Sequence, residues 1–222
     1  MSELFLPLED DTELNVGDWL AAFRNDSAAK VRERLERYWA PLRTPEFQEL
    51  GALLLEAEEF GIVDDYGGYL FGQARDTTGQ CIGDRWYLPC RDSSPNFSEL
   101  LQESGHRPDG ELFEFLTYFG GVGDDLYYSG RFMFHPPWRK FTTEVASWFD
   151  YKIDGFADWE DAIMLYEALD GSVALIRCDG AVGWWMTAEL RVRPTARNLS
   201  GFVTQYINAR KSHSPFCCYS PD

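Results

Sequence analysis

A chain of 222 residues that is 45% hydrophobic and 16% aromatic, with eight Trp and sixteen Phe, has the means to build a large buried core. Its 37 acidic residues against 20 basic give a net charge of −17, a field that repels phosphate backbones and anionic lipid headgroups. These quantities exclude a disordered acidic chain and set aside direct binding to nucleic acid or to a membrane surface.

The first residues, Met1 to Pro7, carry no basic region, and Glu9, Asp10 and Asp11 follow at once, so a signal peptide is not expected. No uncharged apolar stretch approaches the ~20 residues of a membrane span, and a cytoplasmic location is expected. Trp19, Leu20 and Phe23 make a short apolar face. After Asp26, the predicted cap, Val31, Leu35 and Tyr38 recur at helical spacing until Pro41. Thr44-Pro45-Glu46 has the order cap, Pro at the first helical position, acid in the first turn. Phe47, Leu50, Leu54 and Ala57 then share one face, Glu49, Glu56 and Glu59 form a solvated one, and Gly61 is the predicted stop. Residues 1–61 thus read as a helical N-terminal part.

Tyr69-Leu70-Phe71 and Trp86-Tyr87-Leu88, with Asp76-Thr77-Thr78-Gly79 between them, predict a hairpin. Asn96 is placed to cap a short helix through Leu100 and Leu101. Asp109 is placed to cap another that carries Leu112, Phe113, Leu116 and Phe119 up to Gly120-Gly121. A strand is predicted at Arg131–Phe134. Three more follow at Ala162–Ala168, Ser172–Cys178 and Val182–Met186, joined by turns at Asp170-Gly171 and Asp179-Gly180. After Arg193-Pro194, Asn198 is the predicted cap of a last helix with Leu199, Phe202, Val203, Tyr206 and Ile207 on its buried face. The pattern is α+β: one domain over residues 1–211, a mixed or antiparallel sheet whose C-terminal β-meander is flanked by helices, and a flexible tail at 212–222.

Few residues carry a catalytic signature. His106, His135 and His213 lie far apart without HExxH spacing, so neither a metal site nor a cofactor is expected. Five cysteines do not make a secreted disulfide framework; Cys81, Cys90 and Cys178 read as small buried hydrophobes, and Cys217-Cys218 sits in the tail, out of place for prenylation. Gly120-Gly121-Val122-Gly123 follows a helix and precedes Asp124-Asp125, which is a helix stop and not a phosphate cradle. No GxSxG elbow and no local Cys–His pair is present. Adjacent carboxylate pairs occur at Asp64-Asp65, Asp124-Asp125 and Glu160-Asp161, and an acid/base pair of glycosidase type would have to meet in the fold, but a chain with 37 acids forms such pairs by chance. No enzymatic activity is expected.

The run from Asp154 to Asp161 alternates carboxylates with aromatics. It is either a solvated loop with Phe156 and Trp159 tucked into the core or a patch facing a partner, aromatic anchors ringed by charge being the usual material of an interface. Asp124, Asp125, Asp154, Asp158, Trp159, Glu160 and Asp161 are therefore the candidate contacts. Between Asp109 and Asp170 there are thirteen acidic residues against four basic, whereas Leu190–Lys211 has five basic and none acidic, a segregation that predicts one acidic face.

Glu111-Leu112-Phe113-Glu114-Phe115-Leu116-Thr117-Tyr118-Phe119-Gly120-Gly121 resembles the helix ending in small residues near the start of the SMI1/KNR4 (SUKH) domain. Ile163–Tyr166, Asp170–Leu175, Asp179–Trp184 and Asn198–Ile207 are similar to that family's succession of strand, Gly turn, strand, Gly turn, strand and final helix. The likeness spans roughly residues 109–207. It implies an α+β binding domain, either an immunity protein against a toxin, often a nuclease, or a regulatory scaffold. An acidic inhibitor suits a basic nuclease groove, so the expected partner is a basic protein. The competing expectation is a small-molecule binder or enzyme with an aromatic, carboxylate-lined pocket drawn from Trp86, Tyr127, Tyr128, Trp138, Trp184 and Trp185.

Overall fold

Antiparallel pairing between successive strands organises the chain. The computed structural model describes residues 6–7, 18–63, 68–73, 85–89, 96–123, 130–132, 156–168, 170–186, 189 and 191–218. Strands β1 (Leu6–Pro7), β2 (Glu59–Val63), β3 (Tyr69–Gln73) and β4 (Trp86–Pro89) form one four-stranded sheet in that order. Strands β5 (Arg131–Phe132), β6 (Ile163–Glu167), β7 (Val173–Ile176), β8 (Val182–Met186) and β9 (Arg191–Ala196) form a five-stranded one. Gly123 bridges Tyr87 on one side and Arg131 on the other, which links the two sheets edge to edge. The expected α+β class is observed, and every strand pair is antiparallel.

The helices are α1 (Asp18–Ala21), α2 (Ala28–Trp39), α3 (Pro45–Leu55), α4 (Phe97–Glu103), α5 (Glu111–Phe119) and α6 (Leu199–Lys211). Their apolar stripes meet the inner faces of both sheets in one cluster. Val31, Leu35, Phe47, Leu50, Phe115 and Phe119 from the helices lie with Trp86, Leu88, Tyr166 and Trp184 from the strands. Aromatic rings dominate this core: Phe132 sits edge-on to Tyr166 at 4.9 Å and to Tyr206 at 5.1 Å.

Two glutamates of α5 tie three helices together. Glu114, buried, accepts the Arg43 amide and, at 3.4 Å, the Thr44 amide on Oε1; its Oε2 accepts the Thr44 hydroxyl at 2.7 Å. One turn away, Glu111 accepts the Ser200 amide at 3.1 Å and its hydroxyl at 3.3 Å. Each carboxylate therefore neutralises the amide-rich start of another helix, α3 and α6 respectively. Thr44 stands at the cap position of α3 as predicted, yet its hydroxyl donates outward to Glu114 and makes no cap bond to its own helix.

Several boundaries differ from expectation. Asp26 pairs with Arg34, and Ser27 takes the cap position of α2. Gly110 replaces Asp109 at the start of α5, while Asn96 and Asn198 cap as predicted through bonds to Glu99 and Gly201. Gly61 does not stop α3, which ends at Leu55; it lies inside β2 opposite Phe71, whose ring passes where a Cβ would sit, with Cε1 only 2.2 Å from that position. β9 is not legible as a strand in the sequence because it contains Pro194. That residue sits on an edge strand beside a register shift, the place where a sheet tolerates Pro. The segment after α6, expected as a flexible tail, folds back so that Phe216 and Cys218 are buried against the core. Cys178, expected to be buried, is exposed.

Candidate functional site

The outer face of the β6–β9 sheet carries a second, smaller core. Strand alternation points Leu175 and Trp185 away from the helices, and they meet Trp159 and Ala162 there, with Met164, Val173 and Val192 partly buried around them. Trp159 ends a single 3-10 turn, Phe156–Trp159, that lies on this face. Gly183 makes the seat: a Cβ at that position would stand 2.7 Å from Trp159 Cη2 and 2.8 Å from Val192 Cγ1. The Arg177 guanidinium covers the indole at 5.6 Å and holds the Asp179 carboxylate at 3.0 Å.

With Trp159 as its peg, the turn displays Asp158, Glu160 and Asp161. All three are exposed, and among the described residues none has an ion-pair partner. Trp159 itself is 5% exposed, so of the two roles open to it in the sequence it takes the structural one and offers no ring to a partner. Asp124, Asp125 and Asp154 lie outside the described residues, as do Tyr127, Tyr128 and Trp138.

His106, at the turn between α4 and α5, approaches this site from beneath. Burial lowers its pKa below the usual 6.5, opposed by the backbone of Ile176 and Ser104 and by the negative charge of Asp161. Its Nδ1 lies 3.2 Å from the Ser104 carbonyl, and its buried Nε2 has no hydrogen bond of ordinary geometry among the described residues.

The expected single acidic face lies partly outside the described residues, with Asp124, Asp125, Glu144, Asp150 and Asp154. Exposed carboxylates occur on α2 (Glu33, Glu36), α3 (Glu49), α4 (Glu99, Glu103) and the β7–β8 turn (Asp179), as well as on the acidic turn. The acid-free region is the distinct one: β9, α6 and the segment to Cys218 contain no Asp or Glu. Within it, Trp184, Arg193, Asn208 and Phe216 line a cleft of about 320 Å³. Of the aromatic residues expected to form a pocket, Trp184 borders this cleft while itself buried, Trp86 is buried with its Nε1 donating to the Leu54 carbonyl, and Trp185 faces the opposite side of the sheet. Among the described residues no carboxylate lines the cleft. Its components come from β8, β9, α6 and the C-terminal segment, and the only trace in the sequence was the basic, acid-free composition of Leu190–Lys211.

Among the described residues no group of three His, Cys, Asp or Glu is placed to hold a metal ion, and no helix is long and apolar enough to cross a membrane. No family model matches the chain, and no curated protein or solved structure matches it either.

Proposed function

We propose that this chain is a protein-binding module of the cytoplasm that docks a basic protein through the acidic turn at Asp158, Glu160 and Asp161. The observation that carries the proposal is the turn itself: three exposed, unpaired carboxylates within four residues, pegged to the sheet by a buried Trp159, on a chain of net charge −17. Rigid presentation reduces the ordering cost of binding, and unpaired charge leaves the attraction available to a cationic partner. Charge of this size also accelerates encounter with such a partner.

The resemblance of residues 109–207 to the SMI1/KNR4 (SUKH) domain gives the partner a class. On this reading the chain is an immunity protein whose carboxylates compete with nucleic acid for the groove of a basic nuclease-type toxin. The test is capture of the partner on the immobilised chain, followed by titration against wild type and the Asp158→Asn, Glu160→Gln, Asp161→Asn triple variant. A basic partner whose nuclease activity is suppressed at equal concentration, and whose affinity drops at least about tenfold for the variant, is expected. A partner without basic character, or equal affinity for both forms, contradicts the proposal.

A further inference from the structure

Two adjacent thiols, Cys217 and Cys218, lie in the segment that follows α6. Cys217 is partly exposed and Cys218 is buried, and both pack on the main core beside Phe216. The peptide unit between them anchors that segment, because its N–H, the amide of Cys218, donates to Ser172 Oγ at 3.3 Å. Ser172 Oγ in turn donates to Asp170 Oδ1 at 2.6 Å, and the Cys218 carbonyl accepts from Arg193 Nη2. These bonds hold Phe216 in its aromatic cluster, with its ring 5.0 Å from Phe202 and 5.4 Å from Trp184.

The two side chains differ in what can reach them. Cys217, the more exposed, meets a dissolved oxidant first. Burial pushes the Cys218 thiol up, with the Ser172 hydroxyl opposing and the charge of Asp170 reinforcing, so Cys218 is held in reserve as a thiol. Adjacency then makes its attack on an oxidised Cys217 sulfur an intramolecular step with a large effective concentration. Neighbouring Cα atoms stand about 3.8 Å apart, against roughly 4.4–6.8 Å in an ordinary disulfide, so a ring closed between them is tight. Strained disulfides are the readily reduced ones, which is the property a reversible site needs.

We propose that Cys217 and Cys218 are a site of reversible oxidation by hydrogen peroxide, closing to a vicinal disulfide that unlatches the C-terminal segment. In the first step the Cys217 sulfur attacks a peroxide oxygen, the O–O bond breaks, and a sulfenic acid and one water form. In the second the Cys218 sulfur attacks the Cys217 sulfur, the S–S bond forms as the S–O bond breaks, and the departing hydroxide leaves with the Cys218 proton as a second water. The two thiols lose two electrons and two protons, and the peroxide is reduced to water. The ring so formed contains the peptide unit whose N–H Ser172 holds, and closing it turns that N–H away from its acceptor. This site is independent of the docking role given to the acidic turn.

The test exposes the full chain to hydrogen peroxide and maps its thiols by alkylation and mass spectrometry. The peptide holding Cys217 and Cys218 is expected to lose about 2 Da and to regain both alkylation sites after dithiothreitol. Amide exchange over residues 212–218 is expected to quicken at least about tenfold in the oxidised form. Cys218→Ala is expected to stop the reaction at a Cys217 sulfenic acid that dimedone traps, with exchange still slow. Ser172→Ala keeps both thiols and removes the latch, so it is expected to quicken exchange in the reduced form. The exposed Cys178 serves as the internal control for oxidant. Cys217 and Cys218 both still open to alkylation once Cys178 is oxidised, a bond from Cys217 to any other cysteine, or a closed disulfide with unchanged exchange overturns the assignment.

Discussion

Glu114 shows how much a single side chain can organise. Its carboxylate is 6% exposed and spends both oxygens on the start of α3. Glu114→Ala would strand those buried donors, and a loss of about 2–3 kcal/mol is expected in urea unfolding; Glu114→Gln, which keeps shape and one acceptor, is expected to cost about half of that. His106 makes a pH-dependent contribution. Its pKa in the fold lies below its unfolded value of 6.5, so the unfolded chain takes up the proton first. The stability that neutral His106 contributes is complete above about pH 6.5 and is lost as pH falls through the lowered value. Replacing it with Gln is expected to flatten the stability profile below about pH 6.5, measured as unfolding midpoints across the acid range. Neither role was legible in the sequence. Glu114 reaches a helix start 71 residues away, and His106 was one of three scattered histidines without a motif.

Elements that depend on local chemistry were legible, and those that depend on distant partners were not. The β6–β7–β8 meander followed from its turn glycines, Gly171 and Gly180, which adopt φ of 79° and 91°, and α6 followed from Asn198. β2 was hidden because Phe60-Gly61 after a helix reads as a terminator, and only the ring of Phe71 across the strand explains why Gly is needed there. The acidic turn depends on a comparable fit at Gly183. Gly183→Ala is expected to cost about 1–3 kcal/mol and to expose Trp159, read as a red shift in tryptophan emission. The C-terminal segment reads as a tail because Ser212–Pro215 lacks pattern. Phe216 nevertheless packs within 5.0–5.4 Å of Tyr166, Trp184, Phe202 and Tyr206. Phe216→Ala is expected to destabilise by about 3–4 kcal/mol, a fall in Tm of roughly 10 °C.

For the whole molecule, charge was the most informative property of the sequence and the hardest to place. Net charge is additive and needs no fold, but the positions of the carboxylates do. Among the described residues they occupy helices, turns and strand ends, whereas β9, α6 and the segment to Cys218 contribute none. Self-repulsion among these charges destabilises the native state at low ionic strength, so raising NaCl from about 10 mM to about 200 mM is expected to raise Tm by a few degrees. The same salt weakens docking to a cationic protein, and the opposite signs separate the two effects. The most direct measurement is the partner's affinity at about 50 mM and about 300 mM NaCl, for wild type and for the variant neutralised at residues 158, 160 and 161. Wild-type affinity is predicted to fall at least about tenfold over that range and the variant's distinctly less. Parallel salt dependence in the two forms, or none in either, would contradict the role given to the acidic turn.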